Sequence, residues 1–412
     1  MSNIPFESRF SPEMKLLLLA ARPFMTKAEG QELRASCAPA IDWQEFADIV
    51  KRHQVSDLVF KNLNRYIKNE IPAGACQLIQ QSAERNQRRE LTLATEMVLL
   101  NRLFTSHGFE ALFFKGPALS HQFYGSFSLR HSQDLDILIG EENFSASIQL
   151  LDSNGYKLSE KKIALTPKQK RINNDLERHF TYVNPTNGLM FDLHWKLVSN
   201  PYYLLPDFEQ RAFAHVARLD FAGQMIQTLS VSDHFLYLCA HGAEHGWGRL
   251  KWLCDIAAAF RNPQPFDWES IAAEVARIGL ERPVAQAAEL SHRLLGAPLP
   301  DSFQPLCQRA SLLLLELVKT AGQFILKSEA EYRDKGKIIK KMPLASYRLK
   351  LRKELKYKAH ILMHIWLEPA DWVDFPLPDS LFFLYYVLRP FLWLRRYYRS
   401  KKKRQISDGR AK

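Results

Sequence analysis

Asp134 and Asp136 stand two residues apart in the run DLDILI, and Asp192 lies in a second apolar run, FDLHW at 191–195. Successive strand side chains point to opposite faces, so Asp134 and Asp136 share one face while Leu135 and Ile137 pack behind them. Two carboxylates on one face repel each other. Hard divalent cations relieve that repulsion, because Mg²⁺ takes one or two carboxylates and completes its shell with phosphate and water. A pair of such ions about 3.5–4 Å apart can clamp the attacking and leaving oxygens of an in-line displacement. Three aspartates reached this way suit two-metal phosphoryl transfer, with Mg²⁺ (or Mn²⁺) as the ion and a nucleoside triphosphate (NTP) as the donor.

A phosphate cradle is expected next to them. Lys115-Gly116-Pro117 follows a short apolar run, Ala111–Phe114, and precedes a predicted helix, Ala118–Phe123. Glycine lets backbone approach a phosphate closely, and a helix amino terminus attracts anions. Pro117 suits a first helical turn, where its missing N–H would be unpaired anyway. Arg130, His131 and Ser132 come just before the aspartates, where a guanidinium and a hydroxyl can hold a triphosphate. The nucleotide-binding candidates are thus Lys115, Gly116, Arg130 and Ser132.

The elements that must position these groups are legible as patterns. Leu135–Ile139 is a β-branched run ended by Gly140, and Ala111–Phe114 is short, apolar and aromatic, so both predict strands. Glu141–Asn154 predicts a helix stopped at Gly155, then a strand near Tyr156–Ser159 and a polar loop over 160–175. Arg178–Asn184 and Leu189–His194 flank Pro185-Thr-Asn-Gly188, a hairpin signal that sets Asp192 beside the D-x-D strand. His194 shares the Asp192 face by period two and reads equally as a phosphate or aspartate contact or as a half-buried partner of Trp195.

KGPAL at 115–119, Tyr124, Arg130, DLDILI, Gly155-Tyr156, DLHW and HGAEHGWGRLKWLCDIA at 241–257 together resemble the bacterial "uncharacterised nucleotidyltransferase" family. That family is a divergent branch of the DNA polymerase beta-like nucleotidyltransferase superfamily, and the resemblance spans roughly residues 40–265. It implies an α+β fold, a small mixed sheet of nucleotidyltransferase type with helices, flanked by N- and C-terminal helical regions. It also implies that Gly116 marks the turn opening a helix, that Asp134 and Asp136 hold two metal ions, and that Asp192 completes the triad. The implied activity moves a nucleoside monophosphate to an acceptor hydroxyl and releases pyrophosphate; nothing in the chain names the acceptor. Pro117 stands where the superfamily usually has serine, and the Gly116–Asp134 spacing is longer than usual. Lys115, Arg130 or Ser132 then take over the phosphate contact.

With 412 residues the chain exceeds the size of one ordinary core. We expect a helical module at 1–100, a catalytic core at 101–200, a helical module at 201–330 and a basic, aromatic-rich tail at 331–412. In the first module, Asp42 is expected to cap a helix in a capping box with Glu45. Five scattered cysteines without a C-x-x-C predict reduced thiols in a cytoplasmic protein. No secretory signal or spanning run is evident. The net charge of +12 resides in the tail, where residues 331–412 hold 21 Lys+Arg against 8 Asp+Glu. The apolar run LFFLYYVLRPFLWL at 381–394 precedes RRYYRSKKKR, a combination suited to packing on the core, to anionic lipid at the inner membrane surface, or to nucleic acid. A non-catalytic protein of the same fold that docks through this tail is the principal alternative.

His241-Gly-Ala-Glu244-His245 satisfies an H-x-x-E-H pattern, and histidines at i and i+4 share a helix face as in zinc hydrolases. Gly242, Gly246 and Gly248 thin the helix that would present them, and helix packing or a substrate contact is the stronger expectation. Phosphate loops of the G-x-G-x-x-G or G-x-x-x-x-G-K-[ST] kind are absent, which disfavours dehydrogenases and P-loop enzymes.

Overall fold

The computed structural model describes residues 6–37, 41–159, 165–204, 207–263, 266–309, 311–333, 338–367 and 369–395. Its centre is a five-stranded mixed sheet of β1 (Ala111–Phe113), β2 (Leu135–Ile139), β3 (Lys157–Leu158), β4 (His179–Val183) and β5 (Met190–His194), in the order β1-β2-β5-β4-β3. β2 and β5 are parallel neighbours, and the other pairings are antiparallel. The β4–β5 hairpin turns at Gly188, whose φ is +70°, a conformation that glycine adopts without steric cost.

Strand alternation sends the two faces to different partners. Leu135, Ile137, Ile139, Phe191 and Leu193 join one apolar cluster with Leu93, Met97, Leu100 and Phe104 of the 34-residue helix Ala73–Ser106. Leu112, Phe114 and Leu138 join a second cluster, which also takes in the helices Pro12–Ala20, Val231–Glu244, Leu250–Arg261 and Glu281–Leu295. Each such aliphatic or aromatic side chain contributes about 1.5–3 kcal/mol on burial, so the sheet is clamped from both sides. The expected N-terminal and C-terminal helical regions thus share one apolar cluster, on the face of the sheet that Leu138 shares with Asp136.

The helices begin where the sequence supplies caps. Asp42 accepts from the N–H groups of Gln44 and Glu45 at 2.9 and 3.0 Å, but its own N–H donates to Glu13 at 3.0 Å. The tertiary acceptor takes the donor that Glu45 would have satisfied in a capping box. Within the expected polar loop over 160–175 lies a helix, Pro167–Leu176, opened by a Thr166/Gln169 capping box with proline in its first turn. The region expected to be wholly helical after 200 contains a hairpin, β6 (Ala217–Phe221) and β7 (Gln224–Thr228). Its turn residues Ala222 and Gly223 both have positive φ, 51° and 75°, and Ile226 is buried in the sheet-side cluster.

Among the described residues no helix is long and apolar enough to cross a membrane. All five cysteines are free thiols. Residues 384–395 are helical and leave Tyr386, Val387, Phe391 and Leu394 exposed along one side. The basic terminal run from 396 onward, on which the expected lipid or nucleic-acid contact depends, lies outside the described residues.

Candidate active site

The parallel register of β2 on β5 sets Asp136 directly opposite Asp192, so the two carboxylates project from one face of adjacent strands. Asp134 lies one residue before β2 and shares that face by period two. The Gly116 turn packs against it: a Cβ at Gly116 would come within 3.2 Å of the Leu135 side chain and 3.5 Å of the Asp134 carbonyl, and Gly116 has φ +60°. The helix Gly116–Tyr124 follows at once, with Pro117 in its first turn.

Asp136 is 3% exposed and its Oδ1 receives the Lys115 ammonium at 2.6 Å. Burial opposes its charge, yet Lys115 and His194 hold this carboxyl well below the usual carboxylate range. Burial likewise disfavours the Lys115 charge, and Asp136 outweighs it, so the ammonium stays protonated. Burial and the Asp136 charge push Asp134 up to about 6. The same two causes raise Asp192. Asp192 accepts from Thr181 Oγ1 at 2.7 Å and faces His179 Nε2 at 3.4 Å.

His194 is fully buried between two acceptors. Its Nε2 lies 3.0 Å from Asp136 Oδ1 and its Nδ1 lies 3.1 Å from the Lys196 carbonyl. Burial lowers its pKa to about 4. Burial and the Arg178 charge bring His179 to about 4 as well. Of the three context-dependent readings of His194, contact with an aspartate is the one the fold realises, with Phe114 against its ring at 5.0 Å.

The remaining expected residues are placed as follows. Arg130 Nε donates to both Asp255 oxygens, at 2.9 and 3.0 Å, and Tyr124 donates to Asp255 at 2.9 Å. The Arg130 guanidinium thereby forms a buried ion pair with Asp255. Ser132 donates its N–H to Glu90, while its buried hydroxyl has no partner. His241 stacks on Tyr237 and lies against His245, ring centroids 5.6 and 4.6 Å apart. Glu244 faces Arg178 at 3.6 Å.

Among the described residues, the side chains close enough to share one ion are His179, Asp192 and His194, with ligand atoms within 4.8 Å of one another. That group excludes His241, Glu244 and His245, so the H-x-x-E-H pattern does not assemble a zinc site; Glu244 is drawn to Arg178 instead. It also omits Asp134, which sits ahead of the strand, and Asp136, which Lys115 holds. The carboxylates nevertheless fit a cation: Asp136 Oδ2 is buried without a partner, and the charge repulsion that raises Asp134 and Asp192 is what a divalent ion removes.

Three contributors escaped the sequence reading. His179 and Arg178 enter from β4 and the residue before it, and Lys251 enters from the helix Leu250–Arg261. Burial and the Arg130 charge depress Lys251 to about 7, while Asp134 pulls it the other way. The period-two relation of His179 to Thr181 was a usable signal; the approach of Lys251 is a tertiary event with no local signature.

The sequence pattern of the family described as "Uncharacterised nucleotidyltransferase" matches residues 39–296. The match covers well over half of the chain, and the chain belongs to that family. Among solved structures it is similar to an antigenic nucleotidyltransferase-like protein from Paracoccidioides brasiliensis, at 16% identity and a TM-score of 0.33, over 51% of this chain and 94% of that one. No curated protein matches the chain.

Proposed function

We propose that the chain is a metal-dependent nucleotidyltransferase that moves a nucleoside monophosphate from an NTP to an acceptor hydroxyl. The observation that carries this reading is the Asp136–Asp192 register pairing, with Asp134 on the same face beside the Gly116 turn. Asp134, Asp136 and Asp192 would hold Mg²⁺ or Mn²⁺, which when bound supplies charge neutralisation at the triphosphate. Gly116 presents backbone at the start of a helix, where an anion is favoured. Lys115 sets a charge-assisted donor beside that turn. The acceptor oxygen bonds to the α-phosphorus as the bond to pyrophosphate breaks, and Asp192 takes the hydroxyl proton. Arg130 braces the segment that carries Asp134 through Asp255. Catalysis here is positioning plus charge neutralisation.

The test follows α-labelled NTP, Mg²⁺ or Mn²⁺ and cell extract with the purified chain, reading label transfer and pyrophosphate release. We expect transfer that falls by about 10³-fold in Asp136→Asn and Asp192→Asn. Transfer that survives both substitutions contradicts the proposal.

A further inference from the structure

We infer that His179, Asp192 and His194 form a site selective for a divalent transition ion (the Mn²⁺, Fe²⁺, Co²⁺, Zn²⁺ class) over Mg²⁺. The inference deepens the proposed function, since it names the ion class at the same carboxylate face.

The first observation is the donor set. Two imidazoles and one carboxylate, with ligand atoms within 4.8 Å of one another, match the two-histidine-one-carboxylate arrangement that suits first-row transition ions. Mg²⁺ prefers oxygen donors and retains water. A triad of aspartates alone gives no reason for this preference; the histidines on β4 and β5 do.

The second observation is geometric. His194 is 0% exposed, with Nε2 3.0 Å from Asp136 Oδ1 and Nδ1 3.1 Å from the Lys196 carbonyl. An ion on Nε2 leaves Nδ1–H to donate to the Lys196 carbonyl, the usual kind of partner for a ligating histidine's other nitrogen. Two further atoms await partners. Asp136 Oδ2 is buried and unpaired, and so is His179 Nδ1. Asp136 is 3% exposed and touches the cluster through His194, so its free oxygen adds an acceptor beside the ion.

Co²⁺ serves as the probe, because its visible absorption reports imidazole ligation without any nucleotide or turnover. Titration of the full chain is expected to give ligand-field bands at one Co²⁺ per chain that persist in a large excess of Mg²⁺. His179→Ala is expected to weaken Co²⁺ binding by about tenfold or more. His179 is partly exposed, so this variant keeps the test clear of misfolding, with circular dichroism as the check; His194→Ala is the buried counterpart. A spectrum of aqueous Co²⁺, displacement by equimolar Mg²⁺, or unchanged affinity in a folded His179→Ala overturns the inference. If those results accompany Mg²⁺-dependent label transfer, the ion assignment falls and the nucleotidyl-transfer reading stands. Co²⁺ held through His179 without any NTP-dependent transfer has the opposite meaning.

Discussion

Asp136 is the residue on which the site's electrostatics turn. It is the most deeply buried of the three carboxylates, and its charge both raises its neighbours and is held by Lys115. Removing one member of a buried ion pair leaves an uncompensated charge and costs about 3–5 kcal/mol. Lys115→Met is therefore expected to lower the melting temperature of the metal-free chain. Adding Mn²⁺ should raise that temperature more in the variant than in the wild type, since the ion replaces the lost positive charge. Scanning fluorimetry with and without Mn²⁺ reads both effects; identical melting curves for variant and wild type would count against this role. At this scale the sequence was informative about identity and less so about contacts. D-x-D and D-x-H periodicity put Asp134 with Asp136, and Asp192 with His194, on shared faces. Arg130 was different, because its buried partner Asp255 lies 125 residues away and nothing local announces it.

Among the elements, the strand–turn–helix from β1 through Gly116 to Tyr124 sets the approach to the carboxylates. Gly116 combines positive φ with a close approach to Leu135 and the Asp134 carbonyl. An L side chain in that conformation costs about 1–2 kcal/mol. Gly116→Ala is expected to destabilise the fold by that amount in urea titration, and to weaken NTP binding by shifting the turn. An unchanged midpoint would show that the turn relaxes freely. β2, the helix Glu141–Ser153 and the β4–β5 hairpin were readable because alternation, a glycine stop and a Pro-to-Gly turn each act locally. β6–β7 was not, since Ala222 in a positive-φ turn position lacks the Asn-Gly or Asp-Gly signature. The helix Pro167–Leu176 did carry its signal, Thr166-Pro-Lys-Gln169, which an emphasis on polarity concealed.

Across the whole molecule, one buried ion pair ties the segment before β2 to the helix Leu250–Arg261. Arg130 precedes β2, Asp255 belongs to the helix Leu250–Arg261, and Tyr124 ends the helix after the Gly116 turn. Asp255→Ala leaves the Arg130 charge buried and unpaired, so a loss of about 3–5 kcal/mol is expected in chemical denaturation. A loss under about 1 kcal/mol would place the pair among weak surface bridges and contradict its bracing role. The apolar cluster common to both helical regions was not legible from charge or periodicity. Which helices share a core is decided by packing between segments hundreds of residues apart. If the three aspartates recruit a divalent ion to hold a triphosphate, equilibrium binding of each NTP with and without Mg²⁺ or Mn²⁺ reads that recruitment. At least one NTP is expected to bind only when the ion is present, and Asp136→Asn is expected to abolish this binding. Binding that ignores both the ion and the substitution, or no NTP binding under any of these conditions, would contradict it.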